Sequence, residues 1–235
     1  MEKDQHFMVD EDLIKRVVDA LDIKRNEAIL EIGGGKGALT DELVKRTKKI
    51  SVIELDASLF KLLKQKFPEI QIIHGNALSG ERFDSNKIIG NLPYSICEPF
   101  MKKLLRSKFK RAVLTVPKSF MGGGLLRKIM PLFFRIKILE FVHSSSFTPQ
   151  PRTESKVILV IPRRLKQKAQ LIKEIYLQSD KVLKNAIREA YCKVYGLTKK
   201  ESLQQIPGVG FLNKNVYTLN TEEWLDLLEA LNIRG

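Results

Sequence analysis

The apolar run Ala28-Ile29-Leu30-Glu31-Ile32 passes without a break into Gly33-Gly34-Gly35-Lys36-Gly37. A helix-like stretch from Ala38 to Thr47 follows at once, with Leu39, Leu43 and Val44 on one side. A buried strand, a glycine loop and a helix in that order make a nucleotide-type binding unit, because glycines let the backbone approach a ligand closely. Two templates fit this loop. Gly33, Gly35 and Ala38 satisfy the dinucleotide pattern G-x-G-x-x-G/A, while Glu31, Gly33, Gly35 and Gly37 satisfy the E-x-G-x-G-x-G pattern of S-adenosylmethionine binders. The next strand, Ile50 to Ile53, ends in Glu54, about twenty residues after the first glycine, where both templates place the acid that holds ribose hydroxyls.

The periodicity predicts a helix over Asp10–Leu21 with Asp10 as its N-cap, another over Leu59–Phe67 closed by Pro68, and further strands at 70–73, 87–90, 112–116, 138–142 and 156–161. A short helix from Pro99 to Leu105 and an apolar-basic one from Leu125 to Phe134 fall between them. Seven short strands alternating with helices predict an α/β fold with a mostly parallel, doubly covered sheet. From Arg163 the pattern turns to basic helix: one long amphipathic helix over Ala169–Tyr191, a break at Gly196, and a final helix capped by Thr221.

Strand 87–90 delivers Asn91-Leu92-Pro93-Tyr94, an amide, a proline and an aromatic directly after a buried segment. Such a set suits a poor nucleophile like the exocyclic amine of adenine, whose lone pair is delocalised into the ring. The Asn91 side-chain carbonyl and the Leu92 backbone carbonyl would accept its two N–H groups, Pro93 would fix the local φ, and Tyr94 would stack on the base. The proline-dense loop 147–155 would hold Phe147 over the opposite face of a flipped base; taken alone, Phe147 reads better as a core anchor.

Charge narrows the partners. The net charge is +14, and between Glu98 and Glu140 no Asp or Glu occurs, while Lys102, Lys103, Lys118, Arg127 and Lys128 all do. A second basic cluster includes Lys181, Lys184 and Arg188. Uncompensated runs of this kind point to a polyanion, foremost a nucleic acid. No apolar run has the length of a membrane span, the start Met1-Glu2-Lys3-Asp4 lacks a signal-peptide pattern, and a cytoplasmic protein is expected. Cys97 and Cys192 and the scattered His6, His74 and His143 predict neither a disulfide scaffold nor a metal site.

Taken in order, these segments resemble the ribosomal RNA adenine dimethyltransferase family. Gln5-His6-Phe7-Met8 is similar to its Q-[NH]-F-L, Glu31–Gly37 to its E-I-G-x-G-x-G, and Val52–Asp56 to its V-I-E-x-D. Gly75–Leu78 is similar to G-D-A-L, Asn91–Ile96 to N-L-P-Y-N-I, Phe147–Ser155 to F-x-P-x-P-K-V-D-S, and Lys181–Ala186 to the basic K-T-L-R-N-x stretch.

The resemblance implies a Rossmann-like seven-stranded S-adenosylmethionine-dependent methyltransferase fold over residues 1–164 and a small helical RNA-binding domain over 165–235. It implies S-adenosyl-L-methionine held by His6, Met8, Glu31, Gly33, Gly35, Gly37, Glu54, Leu55, Asn76, Ala77 and Asn91. Asn91, Leu92, Pro93, Tyr94 and Phe147 would act on an adenine N6. Ribosomal RNA of an immature small subunit would meet Lys102, Lys103, Lys118, Arg127, Lys128, Lys181, Lys184 and Arg188, with the protein a monomer.

Two departures stand out. Asn76 replaces an Asp, keeping a carbonyl acceptor for an adenine amine but losing the charge, and the segment after Val116 is shortened. These leave a second reading, a ribosome-assembly factor with the same fold and weak or lost catalysis. Large-subunit rRNA adenine methylases are a third. A nicotinamide-dependent oxidoreductase is disfavoured for want of a hydride-transfer acid.

Overall fold

A computed structural model describes residues 5–233; the N-terminal reading of Met1–Asp4 lies outside these. The chain runs through β1 (Phe7–Met8), α1 (Glu11–Asp19), β2 (Ile29–Ile32), α2 (Ala38–Val44), β3 (Ile50–Glu54), α3 (Ala57–Lys66), β4 (Gln71–His74) and β5 (Lys87–Asn91). It continues with α4 (Cys97–Leu104), β6 (Arg111–Pro117), α5 (Gly124–Phe133), β7 (Phe134–Val142), β8 (Phe147–Thr148) and β9 (Ser155–Pro162). Four helices close it: α6 (Gln167–Tyr176), α7 (Leu183–Tyr195), α8 (Lys199–Gln204) and α9 (Thr221–Ala230).

A seven-stranded sheet has the order β4-β3-β2-β5-β6-β9-β7. Its strands from β4 to β6 pair in parallel, and β9 inserts antiparallel beside β6. The order reverses at β2: one crossover series walks outward through β3 and β4, and the next starts again on the other side of β2 with β5. In open α/β sheets the crevice at such a reversal is where ligands bind.

Burial follows the apolar pattern. Leu13, Val17, Val18 and Leu21 of α1 and its exit, spaced for one helical face, pack with Leu39, Leu43, Val52, Leu63 and Ile89 in one core. Asp10 does cap α1, accepting the Leu13 N–H. The two-stranded pair β1–β8 has no signal in the sequence pattern, since two residues are too few to alternate.

The chain divides into two compact units. One takes Met1–Gly122 and Arg135–Pro162, the other Gly123–Phe134 and Arg163–Gly235. The α5 segment, placed by the sequence in the first domain, therefore groups with the C-terminal helices, where its Ile129, Met130 and Phe133 are buried.

The expected single helix over Ala169–Tyr191 is two helices, α6 and α7, parted at 177–182. Leu183 lies seven residues after Tyr176, so the apolar face keeps its helical phase across the break. The backbone amides of Leu183 and Lys184 instead bond the Lys214 and Leu212 carbonyls. The cap of α9 is Asn220 rather than Thr221; with Glu223 it forms a capping box. No helix of the described residues is long and apolar enough to cross a membrane.

Gly90 lets β5 lie against the end of β2: a Cβ there would sit 2.8 Å from the Ile32 carbonyl oxygen. Gly90→Ala is expected to lower stability by about 1–3 kcal/mol through overpacking that backbone cannot relieve. Urea unfolding checks this, and an unchanged midpoint would contradict it.

Candidate active site

The C-terminal ends of four parallel strands open into one cleft of about 910 Å³, counting the space at its mouth. Each strand contributes its following loop: Gly33 and Gly35 after β2, Glu54 and Leu55 at β3, Gly75, Asn76 and Ala77 after β4, and Asn91 to Tyr94 at β5. His6, Phe7 and Phe147 close it from β1 and β8.

Asn91 occupies the last position of β5. Its Nδ2 donates to the His6 carbonyl at 2.6 Å. A carbonyl only accepts, so the amide has one orientation, with Oδ1 left as an acceptor at the cleft. Leu92 is held by its N–H on the Thr115 carbonyl at 3.1 Å. The Tyr94 hydroxyl meets Ser155 Oγ at 2.8 Å, and the ring of His6 lies 5.8 Å from the Tyr94 ring, centroid to centroid. The aromatic is thus fixed at both ends before any base arrives. Phe147 lines the cleft but is 2% exposed and belongs to the core cluster, so it serves both of the readings its sequence allowed.

Glu54 is buried at 4% exposure and joins two loops. One carboxylate oxygen accepts the Gly35 N–H at 2.9 Å, the other the Asp56 N–H at 2.9 Å. Each oxygen keeps a lone pair for a hydroxyl of a ligand. Gly35 has φ +56°, and a Cβ on it would meet the Phe7 ring at 3.0 Å. At Gly33, φ +72°, and at Gly75 an added Cβ would meet nothing within 4 Å, so the backbone there fronts open cleft. Glycine is needed at Gly33 and Gly35 for conformation and at Gly35 also for space.

Three expected cofactor contacts lie outside the cleft lining. Met8 is a core residue, its side chain turned inward from β1. Gly37 begins α2 with φ +89°, and its absent Cβ makes room for the Phe67 ring. Glu31 is completely buried below the loop, where Oε2 accepts from Thr40 Oγ1 at 2.7 Å. Its Oε1 has no hydrogen-bond partner among the described residues. Burial pushes the Glu31 carboxyl up to about 8, with the nearby Glu54 charge adding to it against the Thr40 bond.

The basic residues separate into different roles. Lys103 is buried, and its Nζ donates to the Ala77 carbonyl at 2.8 Å and to the Ser79 carbonyl, 4.3 Å from the Phe83 ring centre. Burial lowers its pKa. It pins the loop carrying Asn76 and Ala77 from below and has no surface to offer RNA, which corrects its expected role. Lys181 pairs with Glu189, and Lys118 with Glu154 at 2.6 Å. Arg127, Lys128 and Lys184 are exposed, while Lys102 and Arg188 are half-buried. Sequence reasoning missed Lys103 as a pin and Ser155 as the anchor of Tyr94. A lysine inside the helix α4 looks like any member of a basic run until its depth is known.

Asn76 Oδ1 accepts the Leu78 N–H at 2.8 Å. A backbone N–H only donates, so the amide orientation is set: Oδ1 keeps its second lone pair as the acceptor expected for an adenine amine, and Nδ2 adds a donor beside it.

A model of the family described as ribosomal RNA adenine dimethylase matches residues 2–195. A probable ribosomal RNA small subunit methyltransferase A of Pyrococcus furiosus is 31% identical over 98% of this chain and 91% of its own length. The protein of the same description from Methanosarcina mazei is 33% identical over 94% and 88%. In structure the chain is similar to a dimethyladenosine transferase from Plasmodium falciparum, with TM-score 0.64 and 22% identity over 97% of this chain and 98% of that one. It is similar to the same degree, TM-score 0.64 and 20% identity over 96% and 99%, to the 23S rRNA methyltransferase ErmE.

With Glu31 neutral in the fold and ionised in the unfolded chain, the contribution of Glu31 to stability is full below about pH 4.5 and is lost as pH rises toward about 8. Glu31→Gln keeps the acceptor for Thr40 and carries no proton to lose. The variant is expected to gain on wild type between pH 5 and pH 8, by on the order of a few kcal/mol at the upper end. Urea midpoints of both proteins across that range measure it; parallel pH profiles would refute a buried neutral carboxyl.

Proposed function

The chain belongs to the ribosomal RNA adenine dimethylase family, and from that membership we propose that it methylates N6 of an adenine in small-subunit ribosomal RNA, taking it to the dimethyl state. The observation that carries the reading is the orientation of Asn91. Its amide nitrogen donates to the His6 carbonyl, which leaves the carbonyl oxygen of this cleft-lining side chain as an acceptor beside a fixed tyrosine.

The residues fit S-adenosylmethionine. Glu54 stands at the end of β3 with a free lone pair on each oxygen for ribose hydroxyls. The open backbone at Gly33 leaves room for the amino-acid portion, and Asn76 and Ala77 border the far end of the cleft. When bound, S-adenosylmethionine supplies an electrophilic methyl group.

What the protein adds is preparation of the nucleophile. Asn91 Oδ1 accepts an N6–H of the adenine, drawing the nitrogen away from planarity and returning lone-pair density to it. Tyr94 stacks on the base, and its hydroxyl bond to Ser155 keeps the ring from following it. A base in a duplex must first leave its stack, at a cost of about a few kcal/mol. A singly methylated N6 still carries one N–H, so Oδ1 serves a second round as it served the first.

Asn91→Ala is expected to reduce methyl transfer about 10²–10³-fold, the scale seen when one preorganised polar group is removed from a reacting centre. Labelled S-adenosylmethionine, immature small subunits and nucleoside analysis of the product measure it. Binding of the subunit without any transfer by wild type would favour the assembly-factor reading instead.

A second expectation separates two roles of one lysine. Lys103→Met should raise the dissociation constant for S-adenosylmethionine about tenfold, through a loosened 75–79 loop, and leave RNA affinity unchanged. Calorimetry for the cofactor and filter binding for RNA distinguish this from a phosphate contact, which would do the reverse.

A further inference from the structure

Edge strand β7 carries an exposed aromatic. Phe141, one residue before the end of the strand, is 60% exposed. Lys118 Nζ lies 5.6 Å from the centre of its ring. Lys118 is fixed in turn: its side chain pairs with Glu154 at 2.6 Å and its backbone N–H donates to the Glu154 carbonyl at 2.8 Å. The residues on either side of Glu154 are Thr153 and Ser155, the two that hold the Tyr94 hydroxyl, at 3.5 Å and 2.8 Å.

Phe141, Lys118, Glu154 and Tyr94 therefore form a short connected series from the strand edge to the reactive cleft, all within one compact unit. The turn that bears Lys118 is anchored from beneath, since Lys156 Nζ donates to the Phe120 carbonyl at 2.6 Å.

We propose that Phe141 and Lys118 are the landing site for the nucleotide next to the target adenine, on single-stranded RNA. The inference rests on the adenine-methylation reading of the cleft and extends it outward by one base. An exposed ring beside a cation is how single strands are held without sequence preference: the base stacks on the ring and the ammonium meets a backbone phosphate. The segment between Glu98 and Glu140 contains no acidic residue, and the adjoining carboxylates are each held in an ion pair, Glu140 with Arg16 and Glu154 with Lys118 itself.

The test uses the full chain and a short fluorescein-labelled single-stranded oligoribonucleotide with a central adenine, at one fixed salt concentration. Phe141→Leu and Phe141→Ala are each expected to weaken binding about tenfold, while Phe141→Trp, which keeps a stacking face, retains wild-type affinity. Equal affinity for all four proteins overturns the proposal, as does failure of wild type to bind the strand. Methyl incorporation into immature small subunits by wild type is measured in parallel. Phe141-dependent binding without incorporation would remove the methylation reading and leave the single-strand surface standing.

Discussion

The reversal of strand order at β2 is the constraint on which the cleft depends. Because β3 leaves on one side of β2 and β5 on the other, the loops after β2 and β5 part, and no crossover helix fills the gap between them. The close fit of Gly90 against the Ile32 carbonyl holds the two strands together just below the point where their loops separate. Asn91 follows Gly90 directly, so the residue proposed to polarise the substrate is placed by backbone packing and needs no flexible arm. The His6 carbonyl then decides which way its amide turns.

Much of this was legible because strand ends are short and their chemistry is local. The seven strands of the sheet announce themselves by apolar runs, and the residues at their C-terminal ends, Gly33, Glu54, Asn76 and Asn91, can be read one loop at a time. What the sequence hid is depth and phase. Lys103 and Glu31 carry the residue types of an RNA contact and a ligand contact, yet both are buried, and only the packing of α4 and α2 over them shows it. Leu183 repeats the apolar phase of α6 across a break, so periodicity alone reads two helices as one. The β1–β8 pair depends on residues far apart in the chain and leaves no periodic trace.

The charge of the chain is partly an internal device. Lys103 ties down one cleft loop by donating to backbone carbonyls, and Lys156 ties down the turn after β6 in the same way. At the opposite end of the sheet Lys87, also buried, meets Glu27 at 3.3 Å and the Asp22 carbonyl at 3.2 Å. Such lysines count toward a net charge of +14 without contributing to a polyanion surface. The surface that remains for RNA is consequently smaller and more local than the sequence runs suggest, and it must be located by exposure rather than by counting.

Asn76 shows the same principle at the scale of one side chain. An aspartate at this position would bring two acceptor oxygens, one for the Leu78 N–H and one for the ligand. The asparagine brings one oxygen, bonded to the Leu78 N–H with a second lone pair left over, and an amide nitrogen that only donates, so this point of the cleft carries a donor beside an acceptor and no charge. The loop itself is unchanged by the exchange, because the bond that shapes it needs one oxygen in either case. Replacing an acid by its amide therefore keeps the bond that shapes the loop and puts a donor where a negative charge would be.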